Sequence, residues 1–157
     1  MTLSPSSLET LPPLTSTEAA NLAADHIEII ETVIASLDQD QSAMVSHQDG
    51  GYLWKFSYGS VEVYVQLTGT HDNDLLTVWS PVLDLPAKDE PKLMRHLLEM
   101  NCGETFEACF GILGDQVVVL ASRPLADMSA GETSRLMTIV ATIADDNDEA
   151  LQAEYGA

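Results

Sequence analysis

The sequence is poor in basic residues. Its 157 residues include 6 lysines and arginines against 25 aspartates and glutamates, which gives a formal net charge of −19. This charge repels phosphate backbones and anionic lipid headgroups, so nucleic acids and membranes are not expected as partners. The acidity favours solubility, and the 45% of hydrophobic residues recur with a periodicity that indicates a folded chain.

Cysteines and long apolar runs are also scarce. Cys102 and Cys109 are the only cysteines, so no disulfide framework is expected and the cytoplasm is the predicted compartment. No apolar run approaches the roughly 18 residues that a membrane span requires. Residues Met1–Leu14 lack a basic region and a continuous apolar core, so they are not interpreted as a secretory signal.

Motifs for catalysis and metal binding are missing. No G-x-S-x-G, H-E-x-x-H, G-x-G-x-x-G or P-loop pattern occurs. The polar stretches His71–Asp74 and Asp145–Glu149 lack the spacing of an EF-hand loop. The two cysteines lack the paired short spacings of a zinc site. We therefore expect no enzyme, no metal and no cofactor.

Hydrophobic periodicity predicts three helices and six strands in the order α-β-β-β-β-α-β-β-α. Met1–Leu14, which is rich in Ser, Thr and Pro, is interpreted as a flexible lead-in to a single domain over residues 15–157. The first helix is expected from about Ser16 to Leu37. Strands and helices in blocks are typical of an α+β domain, here an antiparallel sheet flanked by helices.

Two hairpins have two-residue loops, at Gly59-Ser60 and at Gly114-Asp115. Such short loops fix the register of the strands that they join. The predicted cross-strand pairs are Trp54–Val65, Phe56–Val63, Phe110–Val119 and Ile112–Val117.

The second hairpin, within Asn101–Leu120, carries apolar residues on both faces. An antiparallel hairpin normally has one apolar and one wet face. The second apolar face therefore needs a cover, either a helix of the same chain or another molecule, and the sequence leaves both open. In the second case the face is a platform for a partner segment or a second subunit. The predicted partner-binding residues are Leu76, Val78, Cys109, Val118 and Leu120.

A basic stripe and an acidic helix end are further candidates. Lys88, Lys92 and Arg95 recur at helical spacing and form either a docking stripe or a solvated helix face, of which the solvated face is the simpler interpretation. The last helix, opened by the capping box Ser129–Glu132, ends in a cluster of carboxylates. Because this cluster opposes the helix dipole, we expect its last turns to be solvated or frayed.

Six short motifs match the pattern of a known family. They are Trp54-x-Phe56, Leu76-x-Val78-x-Ser80-Pro81-Val82, Leu97-Leu98-x-x-Asn101, Phe106-x-Ala108-x-Phe110, Gly114-Asp115-x-Val117 and Tyr155-Gly156. By these motifs the chain resembles the YbjN family, whose fold is that of type III secretion chaperones. The resemblance covers roughly Thr17 to Gly156 and implies a small, acidic, often dimeric protein that binds other proteins without catalysis.

The sequence therefore predicts a cytoplasmic, homodimeric, non-enzymatic domain that holds an apolar segment of a partner protein, on the sheet or along a subunit seam. The alternative is a small-ligand or regulatory sensor domain with a pocket between sheet and helix. An exposed groove favours the first reading and a closed, polar-lined cavity the second.

Overall fold

The computed structural model describes residues 15–157, without the side chains of residues 16 and 18–24. The predicted lead-in at Met1–Leu14 lies outside the described residues. The predicted order of elements is confirmed, and so are the bounds of the first helix. The elements are α1 (Ser16–Leu37), β1 (Met44–Gln48), β2 (Gly51–Tyr58), β3 (Val61–Leu67), β4 (Leu75–Asp84), α2 (Glu90–Asn101), β5 (Cys109–Leu113), β6 (Gln116–Pro124) and α3 (Ala130–Tyr155).

All six strands form one antiparallel sheet in the order β1-β2-β3-β4-β6-β5. The two short loops set the registers that the sequence predicts, with Phe56 opposite Val63 and Phe110 opposite Val119. The long-range pairing of β4 with β6 joins the two halves of the chain. This pairing contains an irregularity between Pro81 and Leu83, because proline has no amide hydrogen for the ladder.

The three helices contribute buried side chains to one face of the sheet. Along β3, Val61, Val63, Val65 and Leu67 are buried while Glu62 and Gln66 are exposed, which is the period-two alternation of a strand with one covered face. The buried cluster on this face unites residues of all three helices with the inward residues of the sheet. The helix residues in it include Ile30, Val33, Ile34, Leu93, Leu97, Met137, Val140, Ala141 and Ala144.

The acidic end of α3 is helical through Tyr155, so its last turns are not frayed, although Asp146, Glu149 and Glu154 are solvated as expected. Leu151 and Tyr155 are buried in the core cluster, which holds the final turns on the sheet. Asp148 is only 3% exposed, and both of its carboxylate oxygens lie 2.9 Å from Ser60 Oγ. The carboxylate of Asp145 accepts the backbone N–H of Ser60 at 2.9 Å. Two of the acids therefore fasten α3 to the β2–β3 loop.

The outer edge of β5 is partly closed by a side chain. Asn101, at the end of α2, donates from Nδ2 to the carbonyl of Phe110 at 3.2 Å and accepts the Phe110 N–H through Oδ1 at 2.7 Å. An amide side chain thus takes the place of a neighbouring strand at this position. Such blocking is one way in which proteins protect an edge strand from uncontrolled pairing.

Candidate partner-binding surface

The side of the sheet that faces away from the helix-covered cluster is called the open face here. One row of residues crosses it in direct register. These residues are Lys55, Tyr64, Trp79, Leu120 and Cys109, on β2, β3, β4, β6 and β5. All five side chains are partly exposed. Tyr64, Trp79, Leu120 and Cys109 do not belong to the helix-covered cluster. The second apolar face of the sheet is therefore not packed under the described helices.

An aromatic pair occupies the centre of the open face. The rings of Tyr64 and Trp79 stack with their centroids 5.3 Å apart and an interplanar angle of 8°. Their stacking follows from the register, since Tyr64 lies directly opposite Trp79 on the neighbouring strand. Large, half-buried aromatic rings are the residues that most often anchor protein interfaces.

The β2 side of the open face is charged. Lys55 forms an ion pair with Glu62 at 3.1 Å, and its ammonium lies 5.8 Å from the centroid of the Tyr64 ring. The hydrogen bond to Glu62, followed by the electrostatic effect of Tyr64, holds the pKa of Lys55 above its usual value. Lys55 therefore remains a cation beside the aromatic pair. This part of the open face is therefore mixed in polarity and solvated.

The β6 side of the open face is apolar. Val118 lies between Pro81 and Gly111 in the register and does not belong to the helix-covered cluster. It is only 1% exposed, so its side chain cannot itself contact a partner, and the prediction of Val118 as a partner-binding residue is wrong. Leu120 extends over Gly111, which has no side chain in the way. A Cβ added at Gly111 would stand only 2.8 Å from Leu120 Cδ2. On the same side of β5, Leu113 is exposed. An apolar surface thus extends from Trp79 to the edge of the sheet.

Two of the predicted platform residues lie on the other face. Leu76 and Val78 have no exposed surface and belong to the helix-covered cluster. Val78 is opposite Ala121, whereas Leu120 is opposite Trp79. Because side chains alternate along a strand, Leu76 and Val78 point to the helices and cannot share a surface with Leu120. The prediction that they join this platform is wrong, and Trp79 takes their place on β4.

The predicted basic stripe is divided among local partners. Lys92 pairs with Glu154 at 3.0 Å, and Arg95 pairs with Glu99 one helical turn away at 3.0 Å. Lys88 precedes the first residue of α2, and its backbone N–H bonds to the carbonyl of Tyr155. The hydrogen bond with Glu154 raises the pKa of Lys92. These contacts agree with a solvated face on which Lys92 and Arg95 are paired with acids of the same chain.

The described titratable side chains form no evident chemical centre. Among the described side chains of residues 15–157, no three of His, Cys, Asp or Glu are grouped so that they could hold a metal ion. Asp74 accepts hydrogen bonds from Thr68 Oγ1 and from the backbone N–H of His71, so it closes its own loop. Cys102 and Cys109 are both free thiols. Within the same part of the chain, no helix is long and apolar enough to cross a membrane.

The sequence did not reveal the stacked pair at the centre of the open face. Trp79 could be assigned to the core or to a partner, and Tyr64 to a wet face, but their contact depends on how β3 pairs with β4. The loop from Thr68 to Asp74 is too long to fix that register, unlike the two-residue loops.

The arrangement of elements is shared with a solved structure. The chain superposes on a chain from the "Crystal Structure of the ExsC-ExsE Complex" with a TM-score of 0.54 and 14% sequence identity. The match covers 83% of this chain and 96% of that chain. A likeness at this identity concerns the fold, and it confirms the expected α+β class with its secretion-chaperone-like arrangement.

The family follows from the sequence match. A family model described as "YbjN: Putative bacterial sensory transduction regulator" matches residues 26–153. The chain therefore belongs to the YbjN family, as its motifs indicate. No curated protein matches the chain.

Proposed function

We propose that this protein is a non-catalytic, chaperone-like binding domain whose open face holds an apolar segment of a partner protein. The observation that carries the proposal is the half-buried Tyr64–Trp79 stack, continued by Leu120, on a sheet face that the described helices leave uncovered. The fold is shared with a chain from a two-protein complex, ExsC–ExsE, which supports binding as the kind of activity.

The chemistry of the open face defines the kind of segment that fits. Trp79 and Leu120 provide an apolar contact area, while Lys55 and Glu62 border it with opposite charges. The net charge of −19 repels acidic partners and attracts basic ones at a distance. The preferred segment is therefore apolar, with basic or neutral flanks. The acidity of the chain would also keep the complex soluble, and we place this activity in the cytoplasm.

We also propose that the protein forms a homodimer through the region of α2 and β5. Leu98, Phe106 and Ile112 are large apolar residues that are more than half exposed in this region. Phe106 is 76% exposed and has a φ of 52°, a backbone conformation that disfavours residues with a Cβ. An exposed ring in an unfavourable conformation is typical of a contact site that a partner covers.

The partner-holding proposal is tested with two matched aspartate variants. Leu120→Asp places a charge in the apolar part of the open face, whereas Thr138→Asp makes the same charge change at an exposed position of α3. Each protein is used as bait in the native lysate, and retained proteins are identified by mass spectrometry. We expect one discrete protein that the wild type and Thr138→Asp retain and that Leu120→Asp loses.

The captured protein is then purified and titrated against each bait by calorimetry, after circular dichroism has shown that all baits are folded. A central apolar contact typically contributes more than about 2 kcal/mol, or about 30-fold in affinity. A partner that binds folded Leu120→Asp as tightly as wild type would contradict the proposal.

The dimer is tested by sedimentation velocity with Phe106→Gly, which removes the ring and allows the positive φ. We expect this variant to sediment as a monomer at concentrations where the wild type is a dimer. Gln41→Gly makes a similar backbone change at another positive φ, of 51°, and should leave the mass unchanged. A wild-type monomer, or an undiminished Phe106→Gly dimer, would overturn the proposed interface.

A further inference from the structure

A cavity of about 490 Å³ lies between the C-terminal half of α1 and β1, at the opposite edge of the sheet from β5. Its walls include Ile34 and Ala35 from the helix and Met44 and Val45 from the strand, and Trp54 also lines it. The volume falls within the roughly 300–1,000 Å³ that is usual for small-molecule sites. The walls are mainly apolar, which is also usual for such sites.

The charge around this cavity is of one sign. Glu31 and Asp38 line it, and none of the described lining residues is Lys, Arg or His. Burial alone would raise the pKa of Asp38, but hydrogen bonds from Ser42 and Ala43 outweigh it and lower the pKa, which keeps the carboxylate charged. The C-terminal end of α1 adds the negative pole of a helix whose last turn has no basic residue.

The strand wall leaves apolar surface in contact with water. Val45 lies opposite Trp54 in the register, so its side chain is on the same side of the sheet as the Trp54 ring, and it is 46% exposed. At the rim, Gln41 has a φ of 51°, outside the regions that residues with a side chain prefer. Exposed apolar side chains and a backbone held in an unfavourable conformation occur together at many ligand sites.

We propose that this cavity, the α1–β1 pocket, binds a small organic cation that has an apolar body, such as a substituted ammonium compound. The apolar body would cover Val45, Ile34 and Ala35, and the cationic group would lie within the field of Glu31 and Asp38. Neutral ligands gain only the apolar contact, and anions are repelled by the two carboxylates and the helix end. This binding does not depend on the open face.

The test uses valine methyl groups as built-in reporters. The protein is labelled with ¹³C at the valine methyls, and benzyltrimethylammonium is titrated while the Val45 signals are followed by NMR. Val117 and Val119 belong to the helix-covered cluster and serve as internal references. We expect a saturable shift of the Val45 signals, while those of Val117 and Val119 stay in place. Benzyl alcohol, the neutral analogue, should bind more weakly, and phenylacetate, the anionic analogue, should produce no saturable shift.

Glu31→Gln tests the electrostatic part of the proposal. Glutamine keeps an acceptor for the Trp54 Nε1–H, which bonds to Glu31 at 3.3 Å, but it removes the charge. Affinity for the cation should fall about three- to fivefold, as for other partly exposed charge pairs. Glu28→Gln changes the same charge one turn earlier, outside the lining, and should have less effect.

Two results would overturn the α1–β1 pocket as a cation site. One is unmoved Val45 signals at millimolar benzyltrimethylammonium, and the other is binding of phenylacetate as tight as that of the cation. Trp79→Ala separates this site from the open face, because it should weaken partner binding while the Val45 titration stays unchanged.

Discussion

The two faces of the sheet are both rich in apolar side chains, but they differ in what lies over them. On the helix-covered face, Val65, Leu76 and Val78 have no exposed surface. On the open face, the residues next to Val65 and Val78 in the same strands are Tyr64 and Trp79, which remain half-buried. The comparison shows that apolar composition alone does not distinguish a core from a binding surface. The layer that packs against a face makes that distinction.

The largest expected difference between the faces appears in a matched pair of leucines. Leu76→Ala should lower the free energy of unfolding by about 2–5 kcal/mol, because it leaves a cavity in a closed core. Leu120→Ala removes the same atoms from a surface that water and neighbouring side chains can refill, and should cost less than about 2 kcal/mol. Urea unfolding measures both. Equal losses would mean that the open face is packed as tightly as the core.

A second pair compares two serines. Ser60→Ala removes the hydroxyl beside the buried Asp148 carboxylate and should cost about 1–3 kcal/mol, because a buried acceptor loses its donor. The control is Ser122→Ala on the open face, where Ser122 Oγ lies 2.9 Å from Thr77 Oγ1 in an exposed position. That change should be close to neutral in the same urea titration. A reversed order would contradict the account of how α3 is fastened to the sheet.

The stacked pair on the open face should contribute a smaller amount. A double-mutant cycle with Tyr64→Ala, Trp79→Ala and the double variant should give a coupling free energy of about 0.5–1.5 kcal/mol. The rings are 5.3 Å apart and nearly parallel, which supports a direct interaction. Additive effects of the two single substitutions would show that the stack contributes nothing to the stability of the free protein.

The smallest effect concerns pH and the start of α3 on the helix-covered side. The backbone N–H of Ser129, and then the guanidinium of Arg123, hold the pKa of Glu132 below its usual range. A carboxyl with a lowered pKa stabilises the fold at higher pH and loses this contribution as the pH falls through the folded-state pKa.

The wild type should therefore be more stable than Glu132→Gln at neutral pH. The difference in free energy of unfolding between the two proteins, called the gap here, should shrink below about pH 4. Glu149→Gln repeats the charge change at an exposed position of the same helix. Urea unfolding at several pH values measures the gap for both variants. A gap that is constant with pH, or equal to that of Glu149→Gln, would remove this role from Glu132.

The sequence predicts the fold well where local rules decide the geometry. Two-residue loops set the registers of Phe56 with Val63 and of Phe110 with Val119, and the capping box at Ser129 begins α3. Periodicity alone places the three helices in the chain, but not all of their inward residues, since Leu98 of the predicted apolar stripe is 66% exposed and Met137 is fully buried.

The sequence could not predict which side chains of β4 point to which face of the sheet, because apolar residues occupy both alternating sets of positions along this strand. Leu76, Val78 and Trp79 are equally plausible inward residues in the sequence, and only the long-range pairing with β3 and β6 decides among them. The ordered end of α3 was missed for a related reason. The donor for Asp148 is Ser60, which lies 88 positions earlier in the chain.

The most direct test follows the accessibility of Trp79 itself. In the Trp54→Phe variant Trp79 is the only tryptophan, and its quenching by acrylamide is measured before and after saturation with the captured partner protein. We expect Trp79 to be accessible to acrylamide in the free protein and shielded in the complex. Quenching that is unchanged at saturating partner would contradict a binding role for the open face.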